Sequence, residues 1–201
     1  MVAIITGDII NSENYQVAEW MPFLKEQLSK YGETPKVWEL YRGDEFQIKT
    51  TPMKALELCI LLKARLKTIK GLDVRMAIGI GMETFVGTSI SESNGTAYQY
   101  SGCVFEKLRE QKINIAIKTG ITDKDETLNL LLKLALDFMD EWSSVSAEIV
   151  YLALGKPAMQ QKELGNILGI QQSAVSQRQK RARLDLVKQV LAYYSSIINS
   201  K

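Results

Sequence analysis

The strongest constraint on the fold is an acidic turn between two short runs that are typical of β-strands. The runs cover residues 37–41 and 46–50, and Arg42-Gly43-Asp44-Glu45 separates them. Gly and Asp favour turns, so this segment predicts a β-hairpin. Two adjacent acids between buried strands also indicate a function. Gly43 leaves room for a phosphate to approach the backbone, and the acids offer oxygen ligands to a hard cation such as Mg2+.

Apolar patterning around this hairpin predicts a sheet with helices packed against it. Residues 2–5 form an apolar run typical of a buried strand, which ends at Thr6-Gly7-Asp8 and resumes at Ile9-Ile10. The remaining periodic segments predict helices over residues 15–30, 52–69, 96–110 and 128–142, and strands over 74–81 and 113–117. The order is strand, helix, hairpin, helix, strand, helix, strand, helix. This order predicts an α+β fold with a ferredoxin-like sheet over residues 1–143.

Composition excludes several classes of function. Histidine is absent from the 201 residues, so catalysis cannot use a histidine base, triad or metal ligand. Cys59 and Cys103 lack the spacing of a metal site and are expected to pack as small apolar residues. The N-terminus lacks the pattern of a signal peptide, and no apolar run reaches the roughly 20 residues that span a bilayer. We therefore expect a cytoplasmic protein without a membrane partner.

The charge is distributed unevenly along the chain. Residues 1–145 carry 17 Lys and Arg against 20 Asp and Glu, a net charge of −3. Residues 146–201 carry 8 against 3, a net charge of +5. A basic C-terminal segment on an acidic body suggests that only this segment meets a polyanion.

Two aspartates are candidates for a shared site. Asp8 and Asp44 follow strands that can lie side by side, so their carboxylates are expected to converge. With the backbone carbonyl of Ile9, they would suit one or two Mg2+ ions that also bind phosphates, and they would be the catalytic carboxylates. Alternatively, both acids only cap loops at strand ends. Gly79 and Gly81 in the strand over residues 74–81 indicate close approach by a ligand or another backbone segment, or a bulge.

Three segments resemble the signature motifs of nucleotidyl cyclases, both the class III and the GGDEF enzymes. They are Thr6-Gly7-Asp8-Ile9-Ile10, Arg42-Gly43-Asp44-Glu45-Phe46 and residues 74–81. The whole chain resembles the SatD family. The resemblance implies a palm-type ferredoxin-like fold. It also implies Mg2+ or Mn2+ at Asp8, Ile9, Asp44 and Glu45, and a nucleoside triphosphate near Gly7, Arg42 and Gly43.

The chain also departs from these families. Arg42 stands where the GGDEF motif has its first glycine. Gln99 and Cys103 fall where class III cyclases carry an Asn and an Arg that steady the transition state. Cys cannot offer a guanidinium fork. Lys107 or Arg109 from the same predicted helix are candidates to replace it.

Residues 144–201 predict an all-α helix-turn-helix domain that binds double-stranded DNA. Residues 160–168 form the first helix, with Leu164, Ile167 and Leu168 facing inward, and Gly169 gives the left-handed turn. The second helix is expected to enter a major groove. Its outward residues are suited to base edges and phosphates: Gln171, Gln172, Ser173, Ser176, Gln177, Arg178, Lys180 and Arg181. The alternative is a helical hairpin that only packs against the body or another protein.

A final apolar stripe over residues 184–198 either covers the helix-turn-helix or pairs with a second subunit, and a homodimer would suit two half-sites.

Three functions follow from the paired aspartates and the helix-turn-helix. The first is a DNA-binding regulator whose palm domain senses a nucleotide. The second is an active nucleotidyl cyclase or nucleotidyltransferase with a regulatory helix-turn-helix. The third is an adaptor in which both sites are vestigial.

Overall fold

The computed structural model describes residues 1–200 as a mixed α+β protein built on one five-stranded sheet. The strands are β1 (Val2–Ile10), β2 (Trp38–Tyr41), β3 (Glu45–Thr50), β4 (Asp73–Gly81) and β5 (Ile115–Lys118). The helices are α1 (Val17–Ser29), α2 (Pro52–Leu66), α3 (Thr96–Gln111), α4 (Thr122–Met139), α5 (Ser144–Gly155), α6 (Gln161–Leu168), α7 (Gln172–Arg181) and α8 (Leu184–Asn199). A short 3-10 helix (Ser12–Asn14) follows β1. Within residues 1–200, no helix is both long enough and apolar enough to cross a membrane.

The strands lie in the order β2-β3-β1-β4-β5. The pairs β2–β3, β3–β1 and β1–β4 are antiparallel, and β5 runs parallel to β4. The α+β class and the predicted succession of strands and helices are therefore confirmed. Together with the register below, this order determines which side chains meet.

β1 is longer than the sequence predicted, and Asp8 lies within it rather than after it. The strand continues through Gly7 and Asp8 to Ile10, paired with β3 on one side and β4 on the other. Gly7 does not end the strand because it faces the ring of Phe46. A Cβ at Gly7 would lie 2.6 Å from that ring, so the missing side chain makes room for it.

The two faces of the sheet are covered differently. The main core includes Ile5, Phe46 and Ile78 on the face that packs against α1 and α2. The opposite face is covered by α3, where Ile4 and Ala97 belong to a smaller cluster.

The close approach predicted at Gly79 is made by the backbone of α3. A Cβ at Gly79 would lie 2.1 Å from the carbonyl oxygen of Ala97 and 2.4 Å from the amide nitrogen of Ser101. Packing of a helix on the sheet thus accounts for this glycine.

Two of the four C-terminal helices, α5 and α8, pack against the helices of the body, and α6 and α7 pack against the other C-terminal helices. α5 lies on α2, and α8 lies on α2 and α4. Tyr194 donates its hydroxyl to the carbonyl of Pro52, and Lys124 Nζ donates to the carbonyl of Ile197 at 3.0 Å. Leu184, Val187 and Tyr194 are buried. The apolar stripe of α8 is therefore covered within the chain, and one hydrophobic cluster runs from the sheet into α5–α8.

The sequence predicts that the fourth helix begins at residue 128, but α4 begins at Thr122. The reason is a polar contact that apolar periodicity does not reveal. The carboxylate of Asp125 accepts hydrogen bonds from the backbone amides of Thr119 and Gly120, at 2.6 and 3.3 Å. These contacts fix the first turn of the helix against the end of β5.

Candidate functional site

Three acids meet at one corner of the sheet, where β1 passes the β2–β3 turn. We call Asp8, Asp44 and Glu45 the acid corner. Asp8 and Glu45 are direct partners across β1 and β3. The amide of Ile9 donates to the carbonyl oxygen of Asp44 at 3.3 Å, which holds the turn beside β1. The two distant aspartates therefore lie at the same corner, together with Glu45 and Ile9.

Two of the three carboxylates of this corner, those of Asp8 and Asp44, already have partners. Arg75 of β4 lies opposite Asp8 in the register, and its Nη2 and Nε donate to the two Asp8 oxygens at 2.9 and 3.1 Å. Asp44 accepts a hydrogen bond from the hydroxyl of Ser12 at 2.5 Å. The Asp8 and Arg75 side chains are 24% and 16% exposed, so solvent screens this ion pair only in part.

The electrostatic balance at Asp8 reflects both its burial and its neighbours. Burial raises the pKa of Asp8 because a charged carboxylate loses hydration. The guanidinium of Arg75 opposes the rise, whereas the negative charges of Asp44 and Glu45 add to it. The net result is a pKa above the ordinary value, so one arginine does not fully compensate for three acids in a partly buried corner.

The chemistry of the acid corner suits a hard cation, but its present arrangement does not fit one. Carboxylate oxygens are preferred ligands of Mg2+. However, Arg75 uses both oxygens of Asp8. Within residues 1–200, no group of three or more His, Cys, Asp or Glu side chains is arranged to hold a metal ion. A cation at Asp8 and Asp44 would require Arg75 to release Asp8.

The glycines and the arginine of the predicted nucleotide site differ in their surroundings. Gly43 adopts φ 93° in the turn, and a Cβ there would meet nothing within 4 Å, so space above the turn is open. Arg42 is exposed and adopts φ 47°, a left-handed conformation that favours glycine. Gly7 faces Phe46 on the core face of the sheet, whereas Asp8 lies on the face that α3 covers in part. Packing thus accounts for Gly7 without a ligand.

The candidates on α3 lie outside its buried contact with the sheet, and Gln99, Cys103 and Lys107 share one face of the helix at intervals of four residues. Ser101 is its buried contact with the sheet, and its hydroxyl donates to Thr6 Oγ1 at 2.7 Å. Gln99 and Arg109 are exposed, and Cys103 is half-buried. Lys107 lines a groove beside β5, on the far side of β4 from β1. Lys107 therefore does not replace an arginine beside Asp8.

Sequence reasoning missed two residues of the acid corner, Arg75 and Ser12. Arg75 is a charged residue in a strand whose neighbours Val74 and Met76 are buried, which places it on the opposite face. The alternation of residues along this strand is visible in the sequence. The partner of Arg75 is not, because it depends on the register of β4 against β1.

The second candidate site is the pair of helices α6 and α7. Gly169 ends α6 with φ 63°, the left-handed turn that the sequence predicts. A Cβ at Gly165 would lie 2.7 Å from the carbonyl oxygen of Ile170 in the turn and 3.6 Å from Val175 of α7, so this glycine lets the turn fold back closely onto α6. Leu164 and Val175 are buried between them.

The outer surface of α7 is polar and basic. Seven of the predicted DNA-contacting residues are exposed: Gln171, Gln172, Ser173, Ser176, Gln177, Lys180 and Arg181. We call these seven the α7 face. Two predictions here need correction. Arg178 is not free, because its Nη1 lies 3.4 Å from Glu148 of α5. Ile167 is 49% exposed rather than inward, because α6 turns Leu164 and Gly165 toward α7.

Comparison with known proteins adds no further assignment to these sites. No protein-family model, no curated protein and no solved structure matches the chain.

Proposed function

We propose that this protein is a DNA-binding regulator in which α6 and α7 form a helix-turn-helix. The observation that carries the proposal is the α7 face, which leaves Gln171, Gln177 and Lys180 exposed while Val175 anchors the helix in the core. Gln is suited to adenine edges, and Lys and Arg are suited to phosphates. The left-handed turn at Gly169 and the close approach of the turn to Gly165 support the same assignment.

The division proposed from the sequence gives a palm domain over residues 1–143 and a helix-turn-helix domain over 144–201. Two observations support it. The antiparallel order β2-β3-β1-β4 has the connectivity of a ferredoxin-like sheet, with β5 added parallel at one edge. The boundary coincides with the start of α5, where the hydroxyl of Ser143 caps the helix by accepting from the amide of Ser146.

The DNA-binding proposal is tested by anisotropy titration of labelled duplex DNA over a range of salt concentrations. Log affinity falls linearly with log salt concentration, and each phosphate contact removed makes this line less steep by about 0.9. We therefore expect Lys180→Ala and Arg181→Ala each to reduce the slope by about that amount. Lys25→Ala, which removes an exposed lysine from α1, should leave the slope unchanged. Absence of DNA affinity, with and without nucleoside triphosphate and Mg2+, would refute the proposal.

The sensor part of the proposal concerns the acid corner. We propose that a nucleoside triphosphate with Mg2+ or Mn2+ binds there, with Asp8, Asp44 and Glu45 as cation ligands. The convergence of three carboxylates beside an open turn at Gly43 supports this role. Binding must displace the Arg75–Asp8 ion pair, so Arg75→Met should bind Mn2+ more tightly than the unaltered protein does. Paramagnetic resonance of Mn2+ measures this directly, and Asp44→Ala should weaken binding.

The convergence of the acids also favours a second candidate function, a nucleotidyl cyclase or nucleotidyltransferase. Incubation with each nucleoside triphosphate and Mn2+, followed by assay of released pyrophosphate, distinguishes an enzyme from a sensor. An enzyme would lose its activity in Asp8→Asn and Asp44→Ala. If triphosphates bind but release no pyrophosphate, the acid corner is a sensor site.

A further inference from the structure

A large groove lies away from both sites already described. It has a volume of about 890 Å3 and lies between the end of α1, one face of α2 and the end of α5. Val2 at the beginning of β1 and Thr50 at the end of β3 also line it. Cavities of roughly 300–1,000 Å3 are the usual size of small-molecule sites. The groove is therefore large enough for a metabolite.

Apolar atoms form the larger part of the groove's accessible lining. Leu61 of α2 and Leu154 of α5 line it, together with Val37 from the segment before β2. The aromatic side chains of Tyr31 and Tyr151 also line it. A ligand that fills this space must carry an apolar or aromatic body, because such surfaces gain little from a fully hydrated molecule.

The charges around the groove are only partly neutralised. Lys49 pairs with Glu83 at 3.0 Å, and Lys30 pairs with Glu26 at 3.3 Å. By contrast, Lys54 of α2 and Lys156 at the end of α5 are the lysines that line it without an ion pair. No ion pair or side-chain hydrogen bond is formed by either residue within residues 1–200. Two packed helices thus each present one unpaired cation to the groove.

The groove also offers uncharged hydrogen-bonding groups. Burial, with the neighbouring Glu57 carboxylate, raises the pKa of Tyr31 to about 12. Its hydroxyl therefore keeps its proton at neutral pH and remains able to donate and accept a hydrogen bond. Glu57 lines the groove one turn after Lys54, where it would accept a hydrogen bond from a ligand donor.

We infer that this groove, which we call the α2–α5 groove, binds a small organic anion with an apolar or aromatic body. Lys54 and Lys156 hold the anionic group, and Leu61, Tyr31 and Tyr151 hold the body. This inference does not rest on DNA binding by α7 or on cation binding at the acid corner. It therefore stands or falls separately from the proposed function.

The test uses two fluorescent probes that share an aromatic body and differ in charge. Anilinonaphthalene sulfonate carries an anion, and N-phenylnaphthylamine is its uncharged counterpart. Titration of the full chain should give saturable binding of the sulfonate with a stoichiometry of one. Lys54→Glu and Lys156→Glu should each weaken it by roughly tenfold, as expected for a lost charge-assisted contact. Binding of the uncharged probe should change little.

Lys188→Glu is the matched control, because it reverses an exposed lysine on α8 outside the groove. It should leave the affinity for the sulfonate unchanged. Lys54 and Lys156 are exposed, so both variants are expected to fold, and circular dichroism checks this. The inference is overturned if the sulfonate does not bind, if both groove variants bind it as the unaltered protein does, or if Lys188→Glu weakens binding equally.

Discussion

Replacement of Arg75 by Met tests whether the ion pair with Asp8 stabilises the acid corner. Arg75 donates to both oxygens of Asp8, at 2.9 and 3.1 Å, across the β1–β4 pair. Met preserves an unbranched apolar side chain and removes only the guanidinium. The variant therefore leaves the Asp8 carboxylate without its cationic partner, beside the negative charges of Asp44 and Glu45.

The expected magnitude follows from the geometry of the pair. A hydrogen bond to a charged group contributes about 1.5–3 kcal/mol, and two such bonds act together here. The side chains are 16% and 24% exposed, so solvent screening reduces the contribution. We expect the free energy of unfolding at neutral pH to fall by about 2 kcal/mol. For a chain of this size, this loss corresponds to roughly 4–8 °C in Tm.

The stability deficit of Arg75→Met should depend on pH, because the carboxyl group of Asp8 titrates. The folded protein raises the pKa of Asp8 above the ordinary value of 3.8. A carboxyl group with a raised pKa favours the folded state below that pKa, and this contribution is lost as the pH rises through it. Removal of Arg75 raises the pKa of Asp8 further, because the opposing positive charge is gone. The deficit of Arg75→Met should therefore be largest at neutral pH and shrink as the pH falls toward 3.8.

Urea denaturation followed by tryptophan fluorescence, at neutral and acidic pH, measures both effects. Arg75→Lys is the matched control, since it keeps the charge but cannot form the two-pronged contact. Its deficit should lie between those of the unaltered protein and Arg75→Met. A deficit of Arg75→Met that is equal at both pH values would show that lost packing, not charge, is responsible. No deficit at neutral pH would refute the stabilising role of the pair.

Three further substitutions test the fold around the sites. Gly79→Ala would place a Cβ 2.1 Å from the carbonyl oxygen of Ala97, so the free energy of unfolding in urea should fall by about 3 kcal/mol or more. Arg42→Gly should raise the free energy of unfolding by about 0.5 kcal/mol, because relief of the left-handed backbone outweighs the conformational entropy that glycine adds to the unfolded chain. Arg42→Ala should change this free energy little. Asn129→Ala should lower it by about 1–3 kcal/mol, because the Asn129 amide pairs with the N–H and C=O of Ile117 at 2.9 and 2.8 Å. The same variant exposes the edge of β5, so sedimentation should detect added self-association.

The hairpin and the α6–α7 pair were predictable because local residues determine them. Gly43 and Asp44 identify the turn between β2 and β3, and Gly169 identifies the turn between α6 and α7. Pro52 begins α2 as its position at the first helical turn predicts. In each case the signal and the structure lie within a few residues of one another.

The extent of β1 could not be predicted in the same way. Gly7 followed by Asp8 is typical of a strand end, but the strand continues because Phe46 fills the space above Gly7. Phe46 reaches this position only when β3 pairs with β1, so the cause lies far along the chain. The same reasoning applies to Arg75, whose contact with Asp8 depends on the register of β4. Long-range pairing therefore determines the details that local patterns miss.

The two ligand sites proposed here have different routes to α7. The acid corner lies on β1 and the β2–β3 turn, and its partner Arg75 belongs to β4, whereas α5 and α8 rest on α2 and α4. A ligand there reaches α7 only through the sheet and the helices behind it. The α2–α5 groove is lined by α5 itself, and α5 packs against α7 with the Glu148–Arg178 contact at 3.4 Å between them. Because α5 both lines the groove and contacts α7, a ligand in the groove has the shorter route by which to influence the α7 face.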